Sequence, residues 1–128
     1  MTIAEVGKKY NLTPDTLRYY EKIGLISNVP RSKNRIRNYD DNTCKRIEFI
    51  KCMRDAGVEI EILIKYIDLL EKGKSTVKAR KHLLEEQREK LLEKQKSIND
   101  TVNKLNYKLG LYDEIIAGKR KDFTEIEE

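Results

Sequence analysis

The sequence is poor in the residues that build disulfide frameworks, metal sites and large cores. It holds two cysteines, one histidine and an aromatic share of only 7%. If Cys44 and Cys52 share a helix, about 12 Å of rise separates them, beyond the roughly 7 Å Cα limit of a disulfide, so they do not bridge within a subunit. Unpaired thiols suit a reducing cytosol. No apolar run approaches membrane-spanning length, and the N-terminus lacks the apolar core of a secretory signal. A cytoplasmic, soluble protein without a membrane partner is expected. There is no paired general base, metal constellation or phosphate-binding glycine loop, so neither an enzyme nor a cofactor is expected.

Charge is abundant. Charged residues make up 38% of the chain, which leaves little apolar surface for a large closed core and much solvated helix. The net charge of +5 is unevenly placed. Residues 1–57 carry 12 Lys/Arg against 7 Asp/Glu, whereas residues 58–128 carry 15 of each. The whole excess lies in the first half, as a polyanion-binding front module requires.

Local signals divide the chain. Thr2-Ile3-Ala4-Glu5 has the form of a capping box and starts a helix at Ile3, with Ile3, Val6 and Tyr10 on its apolar face. Asn11-Leu12 reads as a turn. Thr13-Pro14 supplies an N-cap followed by proline at the first helical position, and the second helix runs to about Lys22 before Gly24, placed for a left-handed cap. Two short helices around a tight turn make a helix-turn-helix candidate. From Ser27 to Tyr39 the helical period is lost, and the pattern predicts a short β-hairpin with its tip near Lys33-Asn34. Arg31, Lys33, Arg35 and Arg37 lie there with no anion among them. A phosphate backbone relieves such repulsion and returns free energy through counterion release.

Asp40 caps a third helix that ends before Gly57, with Ile47, Phe49, Ile50, Met53 and Ala56 on one face. Val58 to Leu70 is apolar almost all round and predicts a buried fourth helix. From about Thr76 to Ala117 no proline interrupts a long helix. Val77, Leu84, Leu91, Ile98, Leu105 and Tyr112 recur every seven residues, with Val102, Leu109 and Ile116 as companions in the second half. Such heptads with charged flanks argue for a coiled coil. A rod of about 63 Å is too long for a small head to cover, so an identical subunit is the simplest partner. An intramolecular hairpin folded at Gly110 is the alternative. Lys119 onward reads as a frayed tail.

The run Thr16-Leu17-Arg18-Tyr19-Tyr20-Glu21-Lys22-Ile23-Gly24-Leu25-Ile26 resembles the signature of the mercury-resistance-regulator (MerR) family. Ile36-Arg37-Asn38-Tyr39 followed by Asp40 looks like that family's first wing. The resemblance covers the whole chain and implies a mainly α fold: a winged helix-turn-helix head with a short β-hairpin wing, then a long dimerisation helix forming an antiparallel coiled coil. The implied domains are a DNA-binding head over 1–73 (helix-turn-helix at about 3–23, hairpin wing at about 28–39, helical second wing at about 41–72), a dimerisation helix over 76–117 and a tail over 118–128. The implied function is a homodimeric transcription regulator that bends and untwists double-stranded promoter DNA, engaging RNA polymerase indirectly through the realigned promoter.

By matching positions, Thr13, Thr16, Arg18 and Tyr19 are DNA-binding candidates. Thr16 and Arg18 face the major groove, and Arg18 suits bidentate contact with guanine. Tyr19 offers its hydroxyl to a phosphate, while Tyr20 is mainly core. Arg31, Lys33, Arg35 and Arg37 hold the flanking backbone and Tyr39 anchors the wing. Family members usually carry glycine where Arg35 stands, and Asn34 can supply the positive φ that the turn needs.

Metal-sensing members carry cysteines at both ends of the dimerisation helix, whereas residues 53–128 here contain none. His82, the lone histidine on a charged helix, reads as a solvated surface residue, so no metal is expected. The chain also stops too soon for the large C-terminal ligand domain of drug-sensing members. Residues 49–57 and 79–88 look like a subgroup that responds to reactive aldehydes or nitrosative stress, with one cysteine, here Cys52, as sensor. Helical geometry puts Cys52 on the shoulder of the apolar face near Phe49 and Ala56, and Cys44 on the opposite, more polar side. A helix C-terminus, Glu48 and Asp55 all oppose a thiolate at Cys52, so the residue reads either as the sensor or as a half-buried packing residue. Two rival classes remain: an effector-independent architectural DNA-binding protein, and an enzyme using the Cys52 thiol. A pure coiled-coil adaptor leaves the charge bias of residues 1–57 without a reason.

Overall fold

The computed structural model describes residues 1–26 and 29–125, so Asn28 of the expected wing and residues 126–128 of the expected tail lie outside the described residues. The chain divides into two compact units, Met1–Gln87 and Arg88–Glu128.

In the first unit, α1 spans Ile3–Tyr10 and α2 spans Pro14–Lys22. The capping box forms as expected: the Glu5 amide donates to Thr2 Oγ1 at 3.2 Å and the Thr2 amide donates to Glu5 Oε1 at 3.0 Å. Asn11 ends α1 in the left-handed region at φ 54°. The next turn depends on Gly7. The Leu12 amide donates back to the Gly7 carbonyl at 2.9 Å, and a Cβ added at Gly7 would lie 2.6 Å from the Leu12 carbonyl oxygen. No side chain fits between α1 and the turn. Thr13 then caps α2, accepting from the Thr16 amide at 3.1 Å, and Gly24 (φ 88°) closes it with the Leu25 amide donating to the Tyr20 carbonyl.

The helix α3 spans Asp41–Asp55, capped by the Asp40 carboxylate accepting from the Thr43 amide at 2.8 Å, and α4 spans Ile60–Glu71. The core of this unit gathers Val6 from α1, Leu17 and Tyr20 from α2, Leu25 and Ile26 after it, and Ile47 and Ile50 from α3, all buried. Each such side chain contributes about 1.5–3 kcal/mol on leaving water. Phe49 and Tyr66 stack tilted at 5.5 Å across α3 and α4. The fourth helix starts two residues later than expected and is less enclosed: Leu63 and Ile67 are buried, but Ile60, Ile62, Ile64, Tyr66, Leu69 and Leu70 are half-buried. Its apolar residues run round the helix, whereas a single chain supplies cover for one side only.

The expected hairpin is smaller than a pair of strands. Between Pro30 and Asn38, one antiparallel bridge joins Arg31 to Arg37, with the Ser32 amide donating to the Ile36 carbonyl at 2.8 Å and the Asn38 amide to the Pro30 carbonyl at 2.7 Å. The tip is where the sequence predicts it, Lys33-Asn34, inside a turn closed by the Arg35 amide on the Ser32 carbonyl. Arg35 itself adopts the left-handed conformation at φ 61°, not Asn34 as expected. The loop keeps glycine's backbone geometry with an arginine in it, at a strain cost of order 1 kcal/mol.

A 3₁₀ turn, Lys74–Thr76, leads into α5, Val77–Ile116, which passes through Gly110 without a fold-back. Within the first unit, Leu83 and Gln87 of α5 are buried. In the second unit a short 3₁₀ turn, Phe123–Glu125, brings Phe123 back onto α5, contrary to the expected frayed tail. Phe123 lies edge-on to Tyr112 at 5.1 Å, with Lys108 Nζ 4.4 Å from its ring centroid. An aromatic contact and a cation over the same ring give this segment a packing partner that charge composition alone hides.

Gly7→Ala is expected to destabilise the protein by about 1–3 kcal/mol, because the added methyl meets backbone and not a flexible side chain; urea denaturation followed by circular dichroism reads it. Hydrogen bonds from Thr2 hold the Glu5 carboxyl, and those from Thr43 hold the Asp40 carboxyl, below the ordinary carboxylate range. A depressed folded pKa contributes stability above the unfolded value and loses it as pH falls through the folded one. The melting temperature should therefore fall on acidification below about pH 4, and less steeply in Asp40→Asn.

Candidate nucleic-acid interface

The second helix sorts its residues by face. Leu17 and Tyr20 enter the core, while Arg18 is exposed, Tyr19 is 50% exposed and Thr16 is half-buried. That spacing leaves Asp15, Arg18 and Tyr19 on the open side of a helix whose inner side is locked by packing. The Thr13 and Thr16 hydroxyls lie 2.8 Å apart, so one donates to the other. Arg18 Nη1 is 3.0 Å from Asp15 Oδ1, a solvent-facing pair that a stronger partner can displace.

The wing cations fall into two groups. Lys33 and Arg35 stand exposed at the tip. Arg31 and Arg37 instead reach back to Glu21 in the last turn of α2. Arg37 Nε donates to Glu21 Oε2 at 2.7 Å, and Arg31 Nη2 donates to Glu21 Oε1 at 3.3 Å. One carboxylate thus binds a separate arginine with each oxygen, joining the helix to both arms of the loop. Sequence reading missed Glu21; its signal was an acid in the last turn of α2, ahead of a loop with four cations and no anion.

Tyr39 anchors the base of the loop. It is 2% exposed, its amide donates to the Met1 carbonyl at 2.7 Å, and its carbonyl accepts from the Met1 ammonium at 2.9 Å. Its hydroxyl is buried without a hydrogen-bond partner. Burial pushes its phenol pKa up, against the lowering effect of Arg37 and with a raising effect from Glu21. Tyr39 therefore stays a neutral packing group beside the ion cluster.

The two thiols exchange the surroundings that helical geometry predicts for them. Cys44 is buried, its Sγ 3.9 Å from both Met1 Sδ and the Tyr39 carbonyl oxygen, and Cys52 is exposed. The polar side of α3 near its start is covered by Tyr39, just ahead of the helix, and by Met1, distant in sequence, and that cover is absent from the helix's own pattern. Lys51, next to Cys52, is paired with Asp55 at 3.1 Å. On α5, Leu84 and Leu91 are half-buried and Val77, Ile98, Val102, Leu105, Leu109, Tyr112 and Ile116 are exposed in the single chain. His82 is exposed and contacts Glu86 at 2.7 Å. Among the described residues no group of three or more His, Cys, Asp or Glu is placed to hold a metal ion, and no helix is long and apolar enough to cross a membrane.

The model of the MerR HTH family regulatory proteins matches residues 1–70. The HTH-type transcriptional regulator AdhR of Bacillus subtilis (strain 168) is 53% identical over 93 residues, which is 73% of this chain and 66%, just under two thirds, of that relative. The crystal structure of a MerR family transcriptional regulator from Listeria monocytogenes is 32% identical and superposes with a TM-score of 0.87, covering 98% of this chain and 95% of that one. A second crystal structure, HiNmlR, described as a MerR family regulator lacking the sensor domain and bound to promoter DNA, is 25% identical with a TM-score of 0.81 over 91% and 92% of the two chains. These relatives are transcription regulators and not enzymes. With the family match spanning more than half of its length, the chain belongs to the MerR family of helix-turn-helix regulatory proteins.

Proposed function

We propose that the protein is a dimeric, sequence-specific regulator of transcription that binds and distorts double-stranded promoter DNA. The observation that carries this reading is the sorting of the head: Leu17 and Tyr20 are buried, while Arg18, Tyr19, Lys33 and Arg35 face solvent on one helix and the adjoining loop. Thr13, Thr16, Arg18 and Tyr19 meet the groove and its rim, with Arg18 leaving Asp15 for a guanine edge or a phosphate. Lys33 and Arg35 hold the flanking backbone, while Arg31, Arg37 and Tyr39 support the wing. Residues 1–73 act as the DNA-binding head and 76–117 as the dimerisation helix, paired antiparallel, with 118–128 as a short tail. RNA polymerase responds indirectly, through the altered promoter. Arg18→Ala should lose about 1–3 kcal/mol of discrimination between the preferred and a scrambled duplex, read by fluorescence anisotropy.

The dimer reading rests on the apolar stripe Ile98, Val102, Leu105, Leu109, Tyr112 and Ile116, exposed in one chain. An exposed run of this extent marks a protein contact. Sedimentation should give two chains per particle, and Leu105→Lys with Leu109→Lys should give one; a wild-type monomer at micromolar concentration would remove this part.

Cys52 is the thiol we assign to sensing thiol-modifying stress, reactive aldehydes included. It is exposed where Cys44 is buried. The test uses the full-length protein, reduced or aldehyde-treated, on DNA upstream of its own gene, with run-off transcription from the same template. Transcription is expected to rise on treatment and to be unchanged by treatment in Cys52→Ser. A full response in Cys52→Ser discards Cys52. Equal binding to scrambled DNA would favour an effector-independent architectural protein.

A further inference from the structure

We propose that Glu21 is a positioning residue for DNA recognition: its carboxylate clamps Arg31 and Arg37 so that the wing is held at a fixed place relative to α2. The inference rests on the DNA-binding reading above and adds to it a division of labour among the wing cations. Arg31 and Arg37 are bridge partners on facing arms of the loop, where two like charges repel. Glu21 is the anion that meets both, at 3.3 Å and 2.7 Å, with its own side chain only 20% exposed. Those contacts cross the fold: they tie positions 31 and 37 to the last turn of the helix that carries Arg18 and Tyr19. Three hydrogen bonds within the loop, two of which make the bridge, set its internal shape, and its base is tied through Asn38 and Tyr39 to Met1, not to α2. The exposed Lys33 and Arg35 are then the cations left for phosphates, at a spacing fixed by the clamp.

The consequence runs against simple electrostatics. Removing an acid beside a cationic surface adds one unit of positive charge, which by itself tightens binding to any DNA. Loss of positioning weakens binding only to the duplex whose groove and backbone must be met together. Glu21→Ala should therefore bind a preferred duplex, selected by the wild-type protein from a random-sequence library, at least ten-fold more weakly, while binding a scrambled duplex equally or more tightly. Glu21→Gln keeps an acceptor for Arg37 Nε and should fall between the two. Arg37→Ala should cost little once Glu21 is already alanine.

The experiment measures both duplexes by fluorescence anisotropy across several salt concentrations, beside hydrogen exchange of the Arg35 and Asn38 amides without DNA. Those amides should exchange at least ten-fold faster in Glu21→Ala. Unchanged exchange overturns the clamp, as does a Glu21→Ala protein that binds both duplexes more tightly by the same factor. If the wild-type protein selects no preferred duplex while Glu21→Ala frees the wing amides, the DNA reading fails and the clamp stands as a structural device. Circular dichroism of each variant separates these results from unfolding.

Discussion

The contact of Gly7 with the Leu12 carbonyl sets the direction in which the chain leaves α1, and the placement of α2 follows from it. With no Cβ at Gly7, the turn lies directly on the helix, the Leu12 amide reaches the Gly7 carbonyl, and Thr13 falls where it caps α2. Leu17 and Tyr20 then meet Val6 and the α3 residues Ile47 and Ile50 in one core. Burying them leaves Arg18 and Tyr19 outward by the 100° step of the helix. A methyl group at position 7 would thus act on the exposed face of α2 through geometry, without touching it.

The second constraint is electrostatic. Four cations within seven residues, at positions 31, 33, 35 and 37, are a liability in a free loop and an asset on a polyanion. Glu21 reconciles the two by absorbing the repulsion between the two cations at the base, Arg31 and Arg37, and leaving the tip charged. Tyr39 fits the same scheme. Its buried hydroxyl has no hydrogen bond, a cost of about 1–3 kcal/mol that its ring burial offsets, and the same burial pushes its phenol pKa further up. The loop needs this support because its internal pairing is a single bridge, with an arginine in the left-handed conformation at its tip.

What could be read in the sequence was whatever depends on near neighbours. The capping box at Thr2, the Thr13-Pro14 start of α2, the Gly24 stop and the Asp40 cap are each written within four residues, and all form. The length of α5 was legible because no proline interrupts it and the heptads run on past Gly110. Features made by residues far apart in sequence were not legible. Glu21 meets arginines ten and sixteen positions away. Cys44 is covered by Met1, 43 positions away, so a helical wheel of α3 alone places the two thiols wrongly. Phe123 finds Tyr112 across the end of α5, against a composition that reads as solvated. The turn at Arg35 failed for a different reason: asparagine tolerates positive φ better than arginine does, but hydrogen bonding of the loop decided which residue took it.

The distribution of charge links the two halves of the chain. Residues 1–57 hold the entire positive excess, whereas residues 58–128 are neutral overall with an exposed apolar stripe along α5. Contacts to a polyanion weaken steeply with salt, while apolar burial between helices does not. On the function proposed above, the protein leaves DNA as ionic strength rises and stays a dimer, because different forces hold the two associations. It also explains why an arginine clamp belongs in the head and not on α5. Only a surface crowded with one sign of charge needs an internal counterion to choose which of its cations face outward.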